Sequence, residues 1–414
     1  MAETRFTRQY YLLVVLLYGG VNATAAIYTQ YLLFKGFDTS DVYLIRLMYY
    51  VVLVLVEFPT GLLADWLGRR TLVMASCVLS MLSVLLYAFS DALGWFIVAE
   101  VLVALGQACA NGACESWFVD QIDYHGGDNG AARLRSRFSK VWVIKHFASL
   151  FAGAAGGWIA DASMMYPWLL ASVAFGAGFC FSLLGMREDG FVRRKLSRQE
   201  AWTDLKHRAR TSFKYGTTNS DMRFLMVTIF SLYVTLMAPN LMWQPFFAQW
   251  VPDKFSLGLI WAGSSAFLML GSMLAPLLAN GLANERKAML ICCGVIGVGM
   301  MGAASLSFPL ALVVYFIYQG GRGAFSATKD PFMHHSIGRN GNKERRAAIS
   351  SFESIAYHSG GAIGLLAWGT LGRNVPIETA WKISGIILLC CVLALVVRQL
   401  LRDRARARLP ARAH

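Results

Sequence analysis

Charged residues are scarce in this sequence: Asp, Glu, Lys and Arg together make up 15% of its 414 residues, whereas hydrophobic residues make up 56%. Soluble domains carry about 25% charged residues, so this composition excludes an ordinary soluble protein. A helix needs about 20 mostly apolar residues to cross a bilayer. The hydrophobic segments predict about twelve such spans, near residues 9–34, 41–64, 71–90, 94–118, 134–160, 164–186, 223–250, 255–282, 288–307, 309–332, 346–371 and 379–401.

Motifs for catalysis and cofactor binding are also missing. There is no phosphate-binding Gly-Lys-Ser/Thr loop, which argues against nucleotide-driven transport. The eight cysteines lie inside predicted spans, and none is at metal-ligand spacing with a histidine. His334 and His335 are the only candidate catalytic pair, and their neighbours Asp330 and Ser336 form no recognisable catalytic arrangement. We therefore expect no metal, no cofactor and no enzyme. A polytopic membrane enzyme or a passive channel is the remote alternative.

Basic residues are concentrated in every second loop and give a formal net charge of +14. The main groups are Arg69-Arg70, residues 187–223, Arg286-Lys287 and the tail from Arg398 to Arg412. By the positive-inside rule, this pattern places both termini and the central linker in the cytoplasm. Membrane insertion explains the basic excess, so we expect membrane lipid near these loops and no nucleic acid. The predicted location is the bacterial cytoplasmic (inner) membrane, as a multi-pass protein.

The longest polar stretch divides the chain into two halves of similar pattern. When the halves are superposed, Pro59 aligns with Pro276 and Arg69-Arg70 with Arg286-Lys287, as in a parallel repeat. Within the polar stretch, apolar residues at helical spacing favour an amphipathic helix on the inner membrane face, and a solvated linker is the alternative. The predicted domains are a six-helix bundle over 1–186, a cytoplasmic linker over 187–222, a second six-helix bundle over 223–402 and a basic cytoplasmic tail over 403–414.

One loop carries a family signature. The run from Glu57 to Arg70 ends a predicted span and has the spacing Gly-x-x-x-Asp-x-x-Gly-Arg-Arg, which includes Gly61, Asp65 and Gly68. This spacing resembles the signature loop between helices 2 and 3 of the major facilitator superfamily of secondary transporters. The resemblance covers essentially the whole chain. It implies an all-α integral membrane fold, with twelve transmembrane helices in two six-helix bundles around a central cavity, and alternating access in a monomer.

The same resemblance gives the signature loop a mechanical role. Asp65 would cap a helix N-terminus in the opposite half, where free N–H groups favour an anion. Arg69 or Arg70 would pair with Asp120 at the end of span 4. The predicted conformational latch comprises Gly61, Asp65, Gly68, Arg69, Arg70 and Asp120.

Finer features look most like the bacterial macrolide- and multidrug-efflux branch of that superfamily. They are the Glu-x-Pro-Thr-Gly entry to the loop and the end of span 4 from Asn111 to Asp120. Two departures leave other functions open: span 4 has no early arginine, and the glycine motif over 153–157 lacks a proline. The first prediction is proton-coupled export of small amphipathic molecules, either drugs or an endogenous product such as a siderophore. The alternative is proton-coupled import of an anionic or zwitterionic metabolite.

Polar side chains inside the spans mark a candidate substrate pathway, because they are expensive in hydrocarbon. Glu100, Gln107, Asn111 and Glu115 share one face of span 4 if that span is a continuous helix. A second polar stripe lies on span 10, and the resemblance makes spans 1, 4, 7 and 10 the cavity walls. The predicted cavity residues are Asn22, Gln107, Asn111, Tyr233, Asn240, Trp243, Tyr315, Gln319 and Arg322. The alternative is that these groups only join helices through hydrogen bonds or packing.

Four ionisable residues are candidates for gating or proton coupling: Glu115, Lys329, Glu353 and His146. Glu115 and Lys329 lie toward the cytoplasmic ends of equivalent spans, so they could form an ion pair that closes an inner gate. A proton on Glu115 would weaken that pair. Histidines and buried carboxylates are the groups able to change charge near neutral pH. A structural ion pair between Lys140 and Glu353 is the alternative.

Overall fold

The computed structural model describes residues 2–125, 130–189, 198–282, 284–337, 343–372 and 375–407, and all regular elements in these ranges are helical. The side chains of residues 2–4, 57–65, 130–139, 334–337, 343–350 and 402–407, and of a few single positions, lie outside the description. The helices are α1 (Ala2–Ala23), α2 (Tyr28–Phe34), α3 (Thr39–Leu67), α4 (Arg69–Phe89), α5 (Leu93–Ala110), α6 (Ala113–His125), α7 (Gly130–Ala162), α8 (Tyr166–Gly185), α9 (Arg198–Thr218), α10 (Ser220–Ala248), α11 (Lys254–Leu282), α12 (Glu285–Ala303), α13 (Leu310–Ile337), α14 (Lys343–Leu371) and α15 (Ile377–Ala407).

Twelve helical spans correspond to the predicted ones. In the described part of the chain, ten of them are long and apolar enough to cross a membrane. The other two are α13 and α14, which carry polar and charged residues such as Arg322, Lys329 and Glu353. Both pack within the bundle, α13 against α11 and α12, and α14 against α3 and α10. The predicted all-α integral membrane fold is confirmed.

The helix packing repeats between the two halves. In the first half, α1 packs against α8, α3 against α5, and α4 against both α5 and α8. The second half has the equivalent contacts: α10 packs against α15, α11 against α13, and α12 against both α13 and α15. The halves meet where α7 contacts α11 and α3 contacts α14, which are again equivalent pairs. The two six-helix bundles therefore share one interface built from corresponding helices.

Span 1 is not the continuous helix that the sequence predicts over 9–34. It breaks between α1 and α2, and the amide side chain of Gln244 on α10 fills the break. Gln244 Nε2 donates to Ala25 O at 2.7 Å, and its Oε1 accepts from the backbone N–H groups of Thr29 at 2.7 Å and Gln30 at 3.2 Å. A buried break in a helix needs such partners. Because the partner comes from the other half, no local pattern could predict the break.

Span 4 also differs from its prediction. Asn111 adopts an extended conformation and Gly112 has φ +80°, which favours glycine. The helix therefore ends at Ala110 and a second helix, α6, begins at Ala113. Glu115 lies beyond the break, so the helical spacing that joined it to Gln107 does not hold. The predicted single polar face of span 4 was wrong at this point.

The halves are tightly joined at one end of the molecule, called here the closed face. It comprises residues 24–43 and 156–163 of the first half and residues 241–258 and 361–372 of the second. Here the Asp161 carboxylate accepts from the backbone N–H groups of Lys254 (2.6 Å) and Phe255 (3.1 Å) at the start of α11. Glycines allow the helix backbones to touch across the two halves, since a Cβ on Gly157 of α7 would lie 2.5 Å from Lys254 O at the start of α11. Toward the opposite end, Asn111 and Glu115 are exposed.

Helix α9 occupies the predicted linker. It packs against α14, α10 and α3. The ring of Phe213 meets that of Phe352 on α14 edge-on, with centroids 5.9 Å apart, and Gly216 lies beneath the same Phe352 ring. Trp202, nearer the start of the helix, is exposed. Residues of both halves therefore contact this helix.

Candidate substrate site between the two halves

Arg322 is a partly buried charged group of the second half. It lies near the middle of α13, where Nη1 donates to Gln319 Oε1 at 2.9 Å and the guanidinium carbon lies 5.7 Å from the ring centroid of Tyr318. Gln319 Nε2 in turn donates to the Tyr315 hydroxyl at 2.8 Å. Gln319, Tyr315 and Tyr318 are buried, so this row of side chains holds the guanidinium in place.

A cluster of tyrosines surrounds Arg322. The ring centroids of Tyr233 on α10 and Tyr357 on α14 are 3.9 Å apart, and that of Tyr50 on α3 lies 6.2 Å from Tyr357. Arg322 lies close enough to interact electrostatically with all three of these tyrosines. Because α3 belongs to the first half and α10 and α14 to the second, the cluster lies where the halves meet.

A second guanidinium reaches this cluster from the first half. Arg46 on α3 lies with its guanidinium carbon 4.1 Å from the ring centroid of Tyr49 and 5.8 Å from that of Tyr50. Its side chain is 27% exposed, and Nη1 donates to Glu100 Oε2 at 3.1 Å. The sequence analysis missed Arg46. The signal was present, since an arginine five residues inside the predicted span 41–64 is expensive without a partner or a cavity.

Glu100 is the most enclosed charged group of the site, with 1% of its surface exposed. Besides Arg46, its Oε1 accepts hydrogen bonds from the hydroxyls of Tyr28 (2.9 Å) and Tyr87 (2.5 Å). A buried carboxylate is tolerated only when it is paired and hydrogen-bonded in this way. The arrangement joins α2, α3, α4 and α5 beside the closed face.

The other two glutamates near the interface also have cationic partners. Glu115 lies 3.1 Å from Lys145 Nζ on α7, and Glu353 forms an ion pair with Lys329. The predicted ion pair between Glu115 and Lys329 is therefore not formed in this conformation. The alternative pair of Lys140 with Glu353 is not formed in this conformation either, because Lys329 pairs with Glu353 and Lys140 is exposed. Among the described side chains, Arg322 has no carboxylate partner.

The amino-acid sequence matches a family of membrane transporters over most of its length. The sequence model of the Major Facilitator Superfamily matches residues 10–364. The chain belongs to this superfamily. Over 246 residues it is 21% identical to YxaM of Bacillus subtilis (strain 168), an uncharacterized MFS-type transporter, and the match covers 59% of this chain and 60% of that protein. Superfamily membership makes the chain a membrane transporter and not an enzyme.

Solved transporters share the fold at low sequence identity. One is the nucleoside transporter NupG, with a TM-score of 0.76 and 13% identity over 95% of this chain and 98% of that one. Another is a POT family transporter in complex with 5-aminolevulinic acid, with a TM-score of 0.73 and 14% identity over 94% and 95% of the two chains. None of these three relatives is described as a macrolide exporter, so the efflux branch stays a prediction.

Part of the superfamily's signature loop is visible. Arg69 Nε lies 3.4 Å from Asp120 Oδ2, and Arg70 Nε donates to Ser182 O at 3.1 Å. Glu188, which the sequence analysis missed, accepts from Arg70 N at 2.8 Å and so caps α4. Gly68 has φ +98° between α3 and α4. The side chain of Asp65 and position Gly61 lie outside the described side chains, as do His334 and His335, and the latch function stays a prediction.

The remaining predicted residues lie in different settings. Asn22 Oδ1 accepts from Ser149 Oγ at 2.7 Å, and Gln107 Nε2 donates to Asn111 Oδ1 at 2.7 Å, next to the break in span 4. Trp243 is buried, with its ring stacked on those of Trp261 and Tyr315. Asn240 is half-buried, and His146 packs on Trp142 with ring centroids 4.1 Å apart. Within the described ranges, no cluster of His, Cys, Asp or Glu could hold a metal ion.

Proposed function

We propose that this protein is a secondary active transporter that carries a small organic anion, or a zwitterion with an anionic group, by alternating access. The observation that supports this most directly is the setting of Arg322. A guanidinium inside a membrane protein needs a counter-charge or a water-filled cavity. Among the described side chains it has no carboxylate partner, so a bound anion would complete the site.

The surroundings of Arg322 suit a carboxylate or phosphate attached to an apolar or aromatic body. Arginine binds both of these groups through two parallel hydrogen bonds. The rings of Tyr233, Tyr357 and Tyr50 offer apolar surface, and their hydroxyls can donate to further oxygen atoms. The carboxylic acid in the related POT complex is consistent with such a ligand class.

A cationic substrate is less well served. Glu100, Glu115 and Glu353 each have an arginine or lysine partner, so none offers an unpaired negative charge. The anionic or zwitterionic substrate, given above as the alternative, therefore becomes our first proposal. Export of amphipathic drugs or siderophores, and the direction of transport, stay predictions.

The orientation follows from the basic loops. We place both termini and the 187–222 linker in the cytoplasm, because those segments carry the basic excess. The closed face is then periplasmic, and this conformation opens inward, where Asn111 and Glu115 are exposed. We also propose that the protein is a monomer. Its proposed domains are a first six-helix bundle over 1–186, a linker over 187–222, a second six-helix bundle over 223–402 and a tail over 403–414.

The test is ligand binding by the purified protein, followed by counterflow in proteoliposomes. The anionic probes are a panel of carboxylates and phosphate esters that includes benzoate and phenylphosphate, and benzylamine is the cation of similar size. We expect anions, and not benzylamine, to raise the melting temperature. Arg322→Gln should abolish that effect, whereas Arg223→Gln, at an exposed arginine, should keep it. Stabilisation by benzylamine alone, no anion effect across the panel, or normal anion binding by Arg322→Gln would contradict the proposal.

A further inference from the structure

We propose that Glu100 is the proton-binding residue of the transport cycle and that Arg46 is a second substrate-binding guanidinium, released when Glu100 takes up a proton. This inference rests on the proposed anion transport. It assigns one group for the proton and one for the anion, on neighbouring helices, and it makes the Arg46–Glu100 ion pair the switch between them.

The two oxygens of Glu100 have different partners. Oε1 is held by the hydroxyls of Tyr28 and Tyr87, which come from α2 and α4. Oε2 is held only by Arg46 among the described groups. A proton that adds to Oε2 removes the negative charge and places a hydrogen where Arg46 Nη1 now donates. The Oε1 contacts can persist, so the carboxyl group stays in place while Arg46 loses its partner.

Arg46 is positioned to contact a bound anion once it is released from Glu100. Its guanidinium already packs against Tyr49 and Tyr50, and part of the side chain is exposed. Tyr50 lies within electrostatic range of both Arg46 and Arg322. An anion at the tyrosine cluster could therefore contact one guanidinium from each half. With Glu100 ionised, the net charge of Arg46, Arg322 and Glu100 is +1. With Glu100 protonated, it is +2.

Proton and anion then favour each other's binding. A protonated Glu100 leaves Arg46 in need of a counter-charge, which the anion supplies, and a bound anion removes Arg46 from Glu100, which favours the proton. This coupling is reciprocal by thermodynamic necessity. A monoanion and one proton cross together without moving net charge, which corresponds to symport.

Other titratable groups around the pair do not replace Glu100. The facing groups are Tyr28 on α2, Tyr49 and Tyr50 on α3, Tyr87 on α4, Arg322 on α13, and Tyr357 and His358 on α14. Tyrosine and arginine keep their charge state near neutral pH. His358 can change charge. Its described link to the pair runs through Tyr50, whose ring centroid lies 6.1 Å from that of His358 and 5.8 Å from the guanidinium carbon of Arg46. Helix α9 also packs against α3. It contacts α14 at Phe352, which lies more than one helical turn before Tyr357 and His358.

The experiment compares wild type, Glu100→Gln, the double variant Arg46→Gln/Glu100→Gln and the control Asp91→Asn. Asp91 is an exposed residue paired with Lys35 outside the site. The first readout needs no substrate: infrared spectroscopy of the full-length protein in lipid should show the carbonyl band of a protonated carboxylic acid growing as the pH falls. That band should be reduced in Glu100→Gln and unchanged in Asp91→Asn. An identical band in wild type and Glu100→Gln would overturn the proposal.

The second readout is benzoate and phenylphosphate binding as a function of pH. Wild-type affinity should rise by up to about tenfold for each pH unit as the pH falls, because one proton accompanies each anion. Glu100→Gln should bind at the high-affinity level at every pH, and should exchange anion without moving protons. The double variant, which keeps no unpaired buried charge at this place, should bind weakly and without pH dependence. If anion affinity still depends on pH in both variants, the proposed switch is refuted. Normal anion binding by Arg322→Gln refutes the proposed anion site instead.

Discussion

Gln244 and Thr29 belong to different halves, yet the side-chain Oε1 of Gln244 lies 2.7 Å from the backbone nitrogen of Thr29 and takes the place of a helical carbonyl. Thr29 returns a contact, since its Oγ1 donates to Leu241 O at 2.6 Å. Gln244 is 2% exposed, so these bonds are shielded from water. The closed face is therefore held partly by backbone groups that only the other half can satisfy.

Replacing Gln244 by Leu should loosen this closure. The change leaves Ala25 O and Thr29 N buried without a partner, which costs about 1–3 kcal/mol for each such group. We expect a lower melting temperature and a population shifted toward separation of the halves at this face. Spin labels at Asp91 and Ser307, exposed residues of the two halves near this face, would report that separation as a longer distance. An unchanged distance and melting temperature would show that water or other groups replace the amide.

Gly156→Ala should destabilise the contact of α7 with α1. A Cβ at this position would lie 1.8 Å from Ala23 O, so the helices must move apart. Gly19→Ala is the matched control, because nothing lies within 4 Å of a Cβ there. Alanine is about 1 kcal/mol better than glycine inside a helix, so the control should be neutral or slightly stabilised. Thermal unfolding in detergent compares them, and equal effects of the two changes would contradict the close packing.

Asp161→Ala should act on the contact between halves, whereas Asp253→Ala should act within one half. Both carboxylates accept from the first turn of α11: Asp161 from Lys254 N, and Asp253 from Ser256 N at 2.6 Å. Loss of an N-cap costs about 1 kcal/mol. Only Asp161→Ala should lengthen the spin-label distance across the closed face. Equal lengthening in both variants would mean that the N-terminus of α11, and not the link between halves, sets the closure.

The N-cap formed by Asp253 should make the melting temperature depend on pH. The hydrogen bond from the Ser256 backbone lowers the pKa of the Asp253 carboxyl, which lies outside the spans. A lowered folded-state pKa stabilises the fold above the unfolded pKa, and that contribution is lost as the pH falls through the folded value. Because the group is almost fully exposed, the effect on melting temperature should be small, confined to acidic pH and absent in Asp253→Ala.

Gly68→Ala should be more damaging than Gly36→Ala. Both glycines have positive φ, +98° and +90°, so both changes strain the backbone. Only at Gly68 would the new Cβ also meet a side chain, 2.8 Å from Glu188 Oε2, and so displace the cap of α4. We expect about 1 kcal/mol from strain at Gly36 and a larger loss at Gly68, measured as melting temperature. A Gly68→Ala/Glu188→Ala double variant no worse than Gly68→Ala alone would support this cause.

The sequence predicted the spans and the signature loop because both are encoded by local runs of residues. It could not predict the break in span 1, because that break depends on Gln244 from far along the chain. The break in span 4 falls at Asn111-Gly112, a turn signal that was present in the sequence but lies within a long predicted span. The ion-pair prediction failed for a similar reason. Lys329 was expected to pair with Glu115 but pairs with Glu353, because the rotation of each helix about its axis decides which side chains meet. Arg46 was within reach of sequence reasoning, and only its pairing with Glu100 required the structure.

The two breaks have a consequence for motion. In the first half, span 1 is divided between α1 and α2, and span 4 between α5 and α6, whereas the equivalent helices α10 and α13 are each continuous. Among the described residues, complete interruptions of these four spans lie only in the first half, whereas α10 has only internal prolines, Pro239 and Pro245, each of which removes one helical hydrogen bond. We expect the first half to bend more than the second during the cycle, because a full break in a helix is easier to bend than a proline within one, so the two halves would move by different amounts.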